Sequence, residues 1–250
     1  MLNSFKRWVS GGPRAPDLQH ITDWAKRTDL DFRRTKNDDG FVIDGKFNSR
    51  PWRMEWGPPQ RSYIEGRELR IRMEAGLPRD LQMLLLSAPL METLEPETFE
   101  QYTASTQTQI DVSTPEETRW VAMYQKVPLA AAKDLKRRFV AVAWSPQAGA
   151  AWIDGPVTQR LVEAGRKTLA DDPPLALMTL RGRIYLRLQL PEPEVIALVA
   201  MLALFETAAT QAARVAETVN DNDSAWPSTG STAWQTLLPP DKAKGGADQG

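Results

Sequence analysis

The sequence predicts an α+β fold built on a mostly antiparallel sheet, and three observations carry that expectation. Segments with strict apolar/polar alternation crowd the first half. A hairpin followed by a long apolar helix closes the second. Neither half shows the regular strand–helix–strand alternation of a parallel, doubly wound sheet. The expected organisation is a flexible N-terminal arm over 1–16, one globular domain over 17–219 with possible subdomains 17–112 and 113–219, and a disordered tail over 220–250.

The arm has mixed charge and no apolar run of the signal-peptide kind. Its Leu2, Phe5 and Trp8 lie three apart, enough for one amphipathic turn and too little to hold a protein on a membrane. Asp17 after Pro16 is a candidate N-cap for a helix whose Leu18, Ile21, Trp24 and Ala25 fall on one face. A strand over 31–36, a turn at Asn37-Asp38-Asp39-Gly40 and a strand over 41–47 read as a hairpin. Trp52, Met54 and Trp56 alternate with Arg53 and Glu55, and Leu69, Ile71 and Met73 alternate with Glu68, Arg70 and Arg72. These strands, with the run Leu81–Leu86 read as a strand buried on both faces although so short a run also fits a helix, form an antiparallel meander.

Thr114-Pro115-Glu116-Glu117 has the form of a capping box opening a helix to about Tyr124. Phe139–Trp144 and Ala150–Ile153 are read as strands joined by a turn, and Asp154-Gly155-Pro156 as the start of a helix. Leu175–Leu180 and Arg183–Leu190 flank Arg181-Gly182, a two-residue hairpin connection. Pro191 and Pro193 introduce the long helix, which continues through an Ala-rich stretch to about Val219. Its densest apolar run, Val195–Phe205, is apolar on all sides, so it belongs inside the fold. As a helix that run spans about 16 Å against a hydrocarbon core of about 30 Å, so no transmembrane segment is expected. Ile43-Asp44-Gly45 recurs as Ile153-Asp154-Gly155, but the flanks do not match and the repeat is read as chance.

Composition removes most chemistry. There is no Cys and one His, so disulfides, thiolate metal sites, cysteine nucleophiles and multi-histidine metal sites are excluded. His20 sits in the first helix with no nucleophile signature near it. Phosphate-binding glycine loops, a nucleophile elbow around Ser87 and kinase signatures are absent. Carboxylate clusters at Asp38, Asp39 and Asp44, at Asp171 and Asp172, and at Asp221-Asn222-Asp223 fall in predicted turns, where Asp bonds its own backbone. We expect no cofactor and no metal. The 31 Lys and Arg balance 32 Asp and Glu, a net charge of −1 that argues against general nucleic-acid binding.

Arginine on strands is the more informative signal. Parity places Arg53, Arg70, Arg72, Arg183 and Arg187 opposite the apolar faces of their strands, together with Tyr185 and Gln189. If those strands share a sheet, their polar face carries five guanidinium groups suited to an anionic ligand or an acidic partner. Glu55, Glu68 and Glu74 share that facing, so the competing reading is a ladder of cross-strand ion pairs. Trp226 and Trp234 in the tail are the second signal, each preceded by Ala. Burying one Trp contributes about 4–6 kcal/mol, and ordering residues 225–234 costs about 10–20 kcal/mol. Two such anchors nearly balance the cost, so the tail can dock weakly on its own body or on a partner, or stay disordered.

The sequence thus points to a soluble cytoplasmic protein of bacterial type that recognises another protein without catalysis. The alternative is a small-molecule binder or enzyme using the arginine face for an anionic ligand. Oligomeric state is left open.

Overall fold

The computed structural model describes residues 17–36, 39–104, 114–129 and 133–221. The N-terminal arm, Asn37 and Asp38 of the predicted turn, and the tail with Trp226 and Trp234 lie outside the described residues.

Helix α1 (Gln19–Arg27) starts where the Asp17 carboxylate accepts the Gln19 N–H at 3.0 Å, and it buries Ile21, Trp24 and Ala25. Strands β1 (Asp31–Arg34), β2 (Phe41–Phe47), β3 (Arg50–Gly57) and β4 (Glu68–Glu74) follow as the expected meander, each antiparallel to the one before. Asn48 and Ser49 at φ +48° and +64° make the β2–β3 connection a two-residue turn whose twist matches its strands. Strand β5 (Met83–Ser87) is buried on both faces and runs directly into helix α2 (Ala88–Ala104). Then come α3 (Glu116–Met123), β6 (Gln125–Lys126), α4 (Lys133–Arg138), β7 (Phe139–Ala143), α5 (Pro146–Ile153) and α6 (Pro156–Ala164). Strands β8 (Leu175–Leu180) and β9 (Arg183–Gln189) form the predicted hairpin around Arg181-Gly182, and α7 (Val195–Asp221) ends the described chain.

The nine strands make one antiparallel sheet in the order β1-β2-β3-β4-β9-β8-β5-β7-β6. The pairing of β4 with β9, from Glu68 opposite Gln189 to Glu74 opposite Arg183, joins the meander to the later strands. One face is covered along its length by α1, α5, α6 and α7 over a core that includes Phe41, Trp52, Trp56, Trp152 and Phe205. Trp152 is wholly buried and donates its indole N–H to the Ala208 carbonyl at 2.9 Å, tying α5 to α7. On the other face Leu84, Leu86, Val142, Ala176 and Met178 are sealed by Leu90, Met91 and Leu94 of α2 and Trp120 of α3.

Three sequence expectations change. Ala150–Ile153 is helix, because Ser145 caps it by accepting the Ala148 N–H at 3.2 Å and Pro146 occupies its first turn. The capping box does not form: α3 has no side-chain cap, and the Glu117 carboxylate turns instead to Arg61 and Tyr63. The length argument about the last helix also falls, since α7 runs 27 residues. By length and composition its stretch Val195–Thr218 is sufficient to cross a membrane, yet half of that stretch is buried inside this fold. The inward side of α7 carries Leu198, Met201, Leu204, Phe205 and Ala208, while Ile196 and Val199 face outward. The two Ile-Asp-Gly triplets have different structures, one within β2 and one between α5 and α6.

Candidate functional site

The five arginines singled out above fall on one face because β3, β4 and β9 are neighbours. Register then sets who meets whom. Asp31, Asp44, Arg53, Arg72 and Tyr185 form one row across five strands. Arg33, Val42, Glu55, Arg70 and Arg187 form the next. Both rows place two arginines side by side, an arrangement that repels unless carboxylates intervene.

They do intervene. Arg53 holds Asp44 with two hydrogen bonds, at 2.7 and 3.1 Å. Burial pushes the Asp44 carboxyl up, but the hydrogen bond and charge of Arg53, with those of Arg33, outweigh it and hold the group below the usual carboxylate range. Arg70 reaches Glu55 at 3.3 Å, Glu68 at 3.1 Å and the Pro58 carbonyl at 3.0 Å. Arg187 also bonds Glu68, whose other oxygen accepts the Gln60 N–H at 2.6 Å. Glu68 is wholly buried, so three donors hold a carboxylate that would otherwise be costly to desolvate. Arg183 bonds Glu74 and lies 3.4 Å from the Tyr185 hydroxyl. Arg72 is the loosest, 55% exposed and 3.4 Å from Glu55. All five guanidinium groups therefore sit in a ladder of cross-strand ion pairs.

The ladder ends in two ways. Toward the centre of the sheet it runs into a buried clasp, where Arg61 and Tyr63 of the β3–β4 connection both donate to Glu117 Oε1 at 2.5 Å. Burial would raise the Glu117 pKa, and Arg61 together with the Tyr63 hydroxyl overrides it and lowers the value. Burial and the Glu117 charge push the Tyr63 phenol upward, so it stays a donor. The clasp fastens α3 to the open half of the sheet. Toward the start of β3, Asp44, Arg53, Arg72, Glu74, Arg183 and Tyr185 surround a shallow groove of about 190 Å³.

The other candidate residues separate. His20 is exposed on α1. Asp44 is held by Arg33 and Arg53, and Asp172 by Arg138. Ser87 ends β5 and accepts the Leu175 N–H at 3.1 Å, a structural role. Among the described residues no three His, Asp or Glu side chains converge as a metal-binding group.

Two features were not read from the sequence. Tyr124 packs edge-on against Trp144 at 5.9 Å, and Trp144 is 45% exposed beside the outermost strand β6. Exposed aromatics next to β7 leave no alternation to read, because Trp144 lies just past the strand end. A second cleft, between the β4–β5 connection and the end of α7, joins segments far apart in the chain.

No protein-family model matches the chain, and no curated protein is similar to it. Among solved structures it is similar to the mycobacterial trehalose monomycolate transport factor A, TtfA, at a TM-score of 0.42 and 11% identity over 79% of this chain and 94% of that one. A likeness at that level leaves the functional reading to the geometry.

Proposed function

We propose that this chain is a non-catalytic protein-interaction module whose recognition surface is the bare half of its polar sheet face. One observation carries the reading. Five adjacent strands present a field of paired charges with no helix of the described residues over it, while farther along the same face α2 and α3 seal the sheet. The concavity on the bare half is about 190 Å³, below the roughly 300–1,000 Å³ of small-molecule sites. A broad field of alternating charge suits a polar partner surface whose own charges exchange with the ladder, which confers specificity and rate more than raw affinity.

The experiment is site-specific photo-crosslinking in native cells, with the crosslinker at Arg72 or Arg183 and a control at exposed Arg160 on α6. Discrete crosslinked species from the face and not from α6 are expected. Identical patterns from both, or none from the face, overturn the reading.

A second reading has one observation in its favour. Arg53, Arg72 and Arg183 line the groove together, and Arg72 is only loosely satisfied, so a phosphate or carboxylate group has a guanidinium fork to occupy. Small anions that raise the melting temperature of the wild type, and fail to do so in Arg72→Ala, would favour it.

A further inference from the structure

Where α7 leaves the described body, a cleft of about 380 Å³ lies against its last turns, formed by residues outside the ladder. Its apolar walls are Ala75, Leu77 and Pro78 on one side and Ala213 and Ala216 on the other. Its charged groups are Arg50 and Glu217. Among the described residues the Arg50 guanidinium has no hydrogen-bond or ion-pair partner. Gly76, at φ +62°, makes room for it, since a Cβ there would collide with the guanidinium nitrogens. The cleft thus offers apolar walls, an unpaired planar cation and a carboxylate, in a volume within the usual range for a bound group.

We propose that the segment Ala225-Trp226-Pro227 of this same chain docks in the cleft, with the Trp226 indole stacked on Arg50. The chemistry matches piece by piece. An indole face attracts a guanidinium, its N–H needs an acceptor such as Glu217, and its remaining edge suits Leu77, Pro78 and the two alanines.

Reach decides that the occupant is this segment. Trp226 follows Asp221, the end of α7, by five residues, and five extended residues span about 17 Å. Glu217 and Ala213 lie four and eight residues back along the helix, or about 6 and 12 Å. The chain can therefore double back into the cleft with length to spare. So short a tether also presents the indole at an effective concentration in the millimolar range, which a separate partner would have to exceed. This inference concerns a different surface from the charged face and stands or falls apart from it.

The test is fluorine NMR on the full-length protein carrying 5-fluorotryptophan, in which the nine tryptophans give separate probes. Trp226→Phe identifies the Trp226 signal. We expect that signal displaced from its position in the free peptide 222–236, and returned toward that position in Arg50→Ala. Hydrogen exchange at residues 75–78 and 213–217 should quicken about tenfold in Trp226→Ala. Ala213→Phe, which fills the cleft from an exposed position, should release Trp226 equally and serves if Arg50→Ala does not fold. The proposal is overturned if the Trp226 signal sits at the free-peptide position, or if Arg50→Ala moves the Trp234 signal in its place. A displacement that disappears on dilution overturns it as well, because the contact is then between molecules.

Discussion

Removing the Glu117 carboxylate would leave the half-buried Arg61 guanidinium and the Tyr63 hydroxyl facing each other with no acceptor between them. Breaking such a pair from one side costs about 3–5 kcal/mol, most of it the stranded charge. Glu117→Ala should therefore shift urea unfolding by that amount, and far more than Arg72→Ala in the exposed part of the ladder. Tyr63→Phe tests the same clasp by pH. The folded state keeps the phenol protonated where the unfolded chain releases its proton, near pH 10. The wild type should thus lose stability as pH rises past about 10, and Tyr63→Phe should lack that part of the loss. Glu117 acts at the other end: its stabilisation is complete above the ordinary carboxylate range and is lost as pH falls through its lowered folded value. Parity alone showed which way Arg53, Arg70, Arg72, Arg183 and Arg187 face. It did not show that Glu68 would be shared by Arg70 and Arg187, because that depends on strand neighbours more than a hundred residues apart.

Helix α5 shows how a short apolar run misleads when its cap is discounted. Ala150–Ile153 alone fits a strand as well as a helix turn, and Ser145-Pro146 settles the matter by supplying a capping oxygen and a ready-set φ. Ser145→Ala should cost about 1 kcal/mol in chemical denaturation. Helix α2 was missed for a related reason, since Pro96 stands inside it and sequence rules place helix ends at such residues. The strands were legible because half-buried antiparallel strands alternate cleanly, which fixed β2, β3, β4 and β9 within a residue or two. Glu206 on α7 is half-buried, and burial raises its pKa without a compensating charge. The folded carboxyl gives up its proton less readily than the unfolded one, so ionisation at neutral pH costs stability. Glu206→Gln should raise the melting temperature at pH 7 and have little effect below about pH 4, where both states are protonated.

The molecule as a whole turns on β9 returning to β4. That pairing extends one sheet across both halves of the chain, and α7 adds its side chains to the core shared with the meander. Heat should therefore unfold the body in a single transition, with far-ultraviolet circular dichroism and tryptophan fluorescence coincident. Two separate transitions would instead divide it near residue 112. The return of β9 was invisible in the sequence, because a hairpin at 175–190 pairs equally well with any exposed edge. The same return sets a schedule for synthesis. When the ribosome has released β4, the row Leu69, Ile71 and Met73 has its outer backbone groups open, and the strand that satisfies them begins at Arg183. For more than a hundred residues of translation the nascent meander carries an adhesive edge. Its guard during that interval is the charge on its own strand, Arg70, Arg72 and Glu74, so the side chains that later close the ion-pair ladder first keep the unfinished protein from meeting itself.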